Sequence, residues 1–83
     1  MSTHKITDDE LRKLLLAVGL NPASGTEAYT LRFDELDLDS LARFELASRI
    51  GKRFGINIED EVTAECTPDD VRKLVNERVS AAV

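Results

Sequence analysis

In the run Asp34-Glu35-Leu36-Asp37-Leu38-Asp39-Ser40, three aspartates lead up to a serine. If this chain does chemistry, that is where its polar groups are concentrated. Clustered carboxylates are what a hard cation needs, so a calcium loop is the first possibility to test. The register fails. Counted from Asp34, the third and fifth positions are Leu36 and Leu38; counted from Asp37, the sixth is Ala42 where a glycine is required and the twelfth is Ser48 where a glutamate is required. A nucleophilic Ser40 would need a neighbouring base with its own orienting partner. The sole histidine, His4, stands in a terminus expected to fray. Cys66, the sole cysteine, has no partner for an internal disulfide and reads as a small core residue. No zinc set or phosphate-cradling glycine loop is present. Two roles remain open for Ser40: the cap of a following helix, or a point of attachment.

The elements that would position Ser40 follow from periodicity. Thr7 and Glu10 form a capping box ahead of Leu11, Leu14, Leu15 and Val18, which predicts a helix over 7–18 with one buried face. Gly19 and Asn21-Pro22 end it. A connection over 19–39 follows, longer than compact domains usually carry, and Leu31, Phe33, Leu36 and Leu38 would pin it to the core at intervals. The second helix is expected over 40–54, with Leu41, Phe44, Leu46, Ala47, Ile50 and Phe54 as its apolar face and Gly55 just past its end. Gly51 is awkward inside a helix, where glycine costs about 1 kcal/mol relative to alanine. A close contact or early fraying would each explain it. Residues 56–66 read as a connector with one or two helical turns around Glu61 to Ala64. Thr67-Pro68-Asp69-Asp70 then starts a last helix carrying Val71, Leu74, Val75 and Val79.

Three principal amphipathic helices and one short one predict an all-α, small four-helix bundle in a single domain over 1–83, with residues 1–6 and 80–83 fraying. At 83 residues there is room for one modest core. The net charge of −5 argues against nucleic acid, whose phosphates need a basic footprint. No apolar run approaches the roughly 18 residues needed to cross a bilayer, and no signal peptide is legible, so a cytoplasmic protein is the expectation, read as a monomer.

The stretch from Leu31 to Glu61, "LRFDELDLDSLARFELASRIGKRFGINIEDE", resembles the carrier signature of acyl carrier proteins. In that family an Asp-Ser-Leu triplet opens the second helix and its serine bears 4′-phosphopantetheine. The order of first helix, long loop, serine, second helix ending in Phe-Gly, short acidic helix and last helix also matches, so the resemblance covers essentially the whole chain. The nearer likeness is to the freestanding carriers of dissociated (type II) bacterial polyketide synthases, carried by Leu31-Arg32-Phe33, the Arg-Ile and Arg-Phe-Gly of the second helix and the Thr-Pro of the last.

The resemblance implies a covalent 4′-phosphopantetheine on Ser40 and a substrate shuttle that is not itself an enzyme. Implied partners are a phosphopantetheinyl transferase, a ketosynthase/chain-length factor, an acyltransferase, and a ketoreductase with other tailoring enzymes. Asp39, Leu41 and Glu45 fall where the family meets its partners. Fatty-acid and peptidyl or aminoacyl carriers share the same arm and remain alternatives; outside the family, a helical interaction module with Ser40 as a mere N-cap would fit. Two departures stand out. Asp37 takes the place of a glycine usual in fatty-acid carriers, and from Leu41 to Phe54 four cations (Arg43, Arg49, Lys52, Arg53) face one acid, Glu45. Arg43 and Arg49 are therefore candidate recognition residues of a basic second helix.

Overall fold

Thr7 starts the first helix, α1 (Asp8–Ala17), by the reciprocal cap its sequence calls for. Its hydroxyl accepts from the Glu10 N–H at 3.2 Å, and the Glu10 carboxylate accepts from the Thr7 N–H at 3.3 Å. In the computed structural model, which describes residues 5–81, two further α-helices follow: α2 (Ser40–Phe54) and α3 (Pro68–Ala81). Thr67 and Asp70 repeat the reciprocal cap at the head of α3. There the Arg72 guanidinium, hydrogen-bonded to Asp69, holds that carboxyl below its ordinary range. The described residues are all-α, with one core built from Leu11 and Leu15 of α1, Leu46, Ala47 and Ile50 of α2, and Val71, Val75 and Val79 of α3. Fully burying side chains of this size stabilises the fold by about 1.5–3 kcal/mol each.

Several expectations are corrected. The connection over 19–39 is not one loop but contains a 3₁₀ turn, Thr26–Thr30, whose Ala28 is buried and whose Tyr29 hydroxyl donates to the Asp8 carbonyl at 3.1 Å. The short third helix is a single 3₁₀ turn at Glu59–Glu61, earlier than the turns expected around Glu61 to Ala64. Ile58 and Val62 are buried on either side of it, so apolar anchors dictate where the chain turns. At the N-terminus Ile6 does not fray: it is buried and its N–H donates to the Asn76 side chain at 2.9 Å. Met1 to His4 lie outside the described residues. Likewise α3 runs on through Ser80 to Ala81, and 82–83 lie outside.

Gly51 is explained by contact rather than fraying, since α2 continues to Phe54. A Cβ at Gly51 would stand 2.7 Å from the backbone oxygen of Ile56, so only glycine lets the connector cross so close to the helix. Gly55 closes α2 in the left-handed conformation at φ 70°.

Two expected members of the α2 apolar face turn away from the core. Leu41 and Phe44 are 64% and 55% exposed, whereas Leu46, Ala47 and Ile50 are buried. The helix carries two apolar stripes, and packing against α1 and the connector selects the later one.

Candidate functional site

The approach to Ser40 is a tight turn stitched to the segment just before α3. Phe33 is fully buried, its N–H donates to the Cys66 carbonyl at 2.9 Å, and the Asp34 N–H donates to the Ala64 carbonyl at 3.1 Å. The Phe33 carbonyl in turn accepts from the N–H groups of Leu36 and Leu38 at 3.1 and 3.0 Å. Leu38 is buried, so the backbone is anchored two residues before Ser40. Of the residues expected to pin this connection, Phe33 and Leu38 are buried, Leu36 is half-buried and Leu31 is exposed.

Asp37 makes this turn with φ 60°, the single non-glycine residue with positive φ among the described residues. Aspartate tolerates that conformation better than most L-residues, yet it remains strained relative to glycine. Replacing Asp37 with glycine is therefore expected to stabilise the fold by about 0.5–1 kcal/mol, the relief of strain outweighing the extra freedom of the unfolded glycine chain. Urea unfolding checks this. A loss of stability would mean that the Asp37 side chain holds the turn.

At the switch from turn to helix the cap is Asp39, not Ser40. The Asp39 carboxylate accepts from the Ala42 N–H at 2.9 Å and its carbonyl accepts from the Arg43 N–H at 2.9 Å. This overturns the reading of Ser40 as an N-cap. Ser40 is the first helical residue, exposed, and its hydroxyl makes no hydrogen bond among the described residues. Asp and Ser both cap well, which is why the sequence could not choose between these two neighbours.

The other candidates divide into two groups. Leu41, Glu45 and Arg49 lie exposed on α2, joined there by Phe44. Asp39 and Arg43 have structural contacts: Asp39 caps the helix, and half-buried Arg43 reaches back so that its Nη1 donates to the Leu38 carbonyl at 3.4 Å. The basic face is thinner than the sequence suggests, because Arg53 is held by Glu10, with Nη2 and Nε at 2.5 and 3.0 Å from its carboxylate. The exposure of Phe44 was the main feature missed. Its spacing of three from Leu41 was the available signal.

Beside Ser40 lies a cleft of about 280 Å³ lined by Asp34, Asp37, Leu38, Asp39 and Arg43. Among the described residues no group of three or more His, Cys, Asp or Glu side chains is arranged to hold a metal ion. Cys66 is half-buried, with its Sγ donating to the Glu61 carbonyl at 3.2 Å. No helix among these residues is long and apolar enough to cross a membrane.

Comparison with known proteins bears on the family of the chain. The family profile described as a phosphopantetheine attachment site matches residues 9–68. The actinorhodin polyketide synthase acyl carrier protein of Streptomyces coelicolor is 34% identical over 87 aligned positions, covering 99% of each chain. The anthracycline acyl carrier protein DauA of Streptomyces sp. (strain C5) is 41% identical over 58, covering 69% of each. Among solved structures, the actinorhodin holo acyl carrier protein from S. coelicolor superposes with a TM-score of 0.80 at 30% identity, over 99% of this chain and 100% of that one. With the three helices in the same arrangement and a profile match spanning the turn, the serine and α2, this chain belongs to the phosphopantetheine attachment family, and within it to the acyl carrier proteins of polyketide synthases.

Proposed function

We propose that Ser40 carries the 4′-phosphopantetheine arm and that the chain shuttles polyketide intermediates among separate synthase enzymes. The observation that carries this reading is the free hydroxyl of Ser40 at the first residue of α2, exposed and relieved of capping by Asp39. When attached, the arm supplies a terminal thiol on which acyl groups are held as thioesters.

The residues around Ser40 suit that group. The first N–H groups of an α-helix and the positive end of its dipole favour an anion, so a phosphodiester on the first residue of α2 is electrostatically supported there. Asp39 occupies one of those N–H groups and adds negative charge, while the helix end and Arg43 act against that repulsion. No base is required of this chain, because the transferase brings its own. The chain's part is to hold Ser40 on a rigid helix start, with Leu38 buried just before it. A tethered substrate then meets each partner active site at high effective concentration. The test is coexpression with a phosphopantetheinyl transferase followed by intact mass and peptide mapping. One arm on the peptide containing Ser40 is expected, and an arm on any other serine overturns the assignment.

Partner docking follows from the same helix. Leu41 and Phe44 stand in water one turn apart beside Ser40, with Glu45, Arg49 and Lys52 on the same exposed side. Apolar anchors surrounded by charge are the usual high-energy contacts of an interface. In reconstituted assays with a ketosynthase/chain-length factor, Phe44→Asp is expected to lower kcat/KM roughly tenfold or more, about 1.4 kcal/mol of lost binding. Its stability should stay within about 0.5 kcal/mol of the wild type, because the side chain is largely outside the core. An unchanged kcat/KM would remove this face from the docking surface.

A further inference from the structure

We infer that Arg43 is the positioning residue for the phosphate of the arm, gripping the phosphodiester once it stands on Ser40. This rests on Ser40 being the attachment site. Arg43 is three residues beyond Ser40, so the two side chains are neighbours on one edge of α2, and side chains on a helix lean toward its N-terminus. The lean is visible in the contact that Arg43 makes, back to the Leu38 carbonyl at 3.4 Å.

That contact is long and uses one donor of five. Among the described residues Arg43 enters no ion pair, although Asp34, Asp37 and Asp39 line the same cleft. Four other arginines are committed to carboxylates, Arg32 to Asp34, Arg53 to Glu10, Arg72 to Asp69 and Arg78 to Glu61, and the two that like Arg43 enter no ion pair among the described residues, Arg12 and Arg49, do not line this cleft. A half-buried guanidinium with four unused N–H donors beside the modified residue is arranged for a tetrahedral anion, which a planar fork binds through two oxygens. It also answers the local charge, being the single cation of a cleft that otherwise presents carboxylates to the new phosphate. In the unmodified chain Arg43 rests on the Leu38 carbonyl; in the modified chain it turns onto the phosphate and limits the directions in which the arm leaves the helix.

The test compares apo and holo protein, each verified by mass. In ¹⁵N spectra of arginine side chains, the Arg43 Nε–H signal is expected to move on modification by more than that of Arg49. The same movement in apo protein mixed with free coenzyme A and no transferase would show a general anion site, and no movement at all would show no phosphate contact; either overturns the inference. Arg43→Gln then separates the two contacts. A residue that only clamps Leu38 costs apo and holo protein equally. A phosphate grip lowers Tm more in the holo form, by a further 4 °C or so, with Arg43→Lys restoring part of the difference and 1 M salt removing most of it. Equal losses overturn the proposal, and the wild-type spectra decide it if the glutamine variant does not fold. Failure of the arm to attach at Ser40 would be seen in the mass first and strikes the reading beneath, not the role of Arg43.

Discussion

Changing Ser40 to alanine is expected to abolish loading by a phosphopantetheinyl transferase while leaving stability within about 0.5 kcal/mol of the wild type. The two halves of this result test different things. Loss of the arm follows from removing the oxygen that would form the phosphodiester. Retained stability follows from the division of labour at the head of α2, where the Asp39 carboxylate takes the Ala42 N–H and the Ser40 hydroxyl takes nothing. Alanine is also the better helix former at the first helical position. The contrasting change is Asp39→Ala, which removes the cap and is expected to cost about 1 kcal/mol. Intact mass after coexpression and urea melts of both variants provide the check. Continued loading of the alanine variant would sink the attachment site. A stability loss near 1 kcal/mol in Ser40→Ala, with none in Asp39→Ala, would return the capping role to the serine.

That contrast also marks where sequence stops being informative. The bounds of α2 were legible because Gly55 and the cap-forming pair bracket an amphipathic run, and the heads of α1 and α3 because Thr-x-x-Glu and Thr-x-x-Asp close reciprocal hydrogen bonds within four residues. These are local interactions, and local pattern encodes them. Which of two adjacent cap-forming residues does the capping depends on backbone angles that the pattern does not carry. The same holds for Leu41 and Phe44: their spacing marks an apolar stripe, but whether it meets the core is decided by α1 and the connector. Gly51 makes the point in reverse. Its cost inside a helix was visible, while its reason, the Ile56 carbonyl crossing beside it, lies in the tertiary contact. The sequence marks Arg43 as a candidate recognition residue on a basic helix face, and its reach to Leu38 is hidden there because it goes backward across the turn.

The turn before Ser40 is where the second large effect is expected. Phe33→Ala should destabilise the fold by about 3–5 kcal/mol, the usual cost of emptying a buried phenylalanine site. Phe33 is fully buried, and its own backbone carries three of the hydrogen bonds that shape the approach, its N–H to the Cys66 carbonyl and its carbonyl from the N–H groups of Leu36 and Leu38, with the Asp34 N–H to the Ala64 carbonyl next along. Domains have about 5–15 kcal/mol of stability in total, and a chain this short belongs toward the lower end. The variant should therefore melt more than about 10 °C below the wild type. Function should fall with it. Leu38 and Asp39 fix the position of Ser40 through this turn, so loosening it exposes the transferase to many geometries where the wild type offers one, and loading should slow even at temperatures where the helices persist. Hydrogen exchange separates global from local failure: the amides of Leu36 and Leu38, bonded to the Phe33 carbonyl, should lose protection before those of α1 and α3. A variant that melts within a few degrees of the wild type and keeps those amides protected would mean that the turn is held by Leu38 and the acidic cleft, and that the buried ring merely fills space.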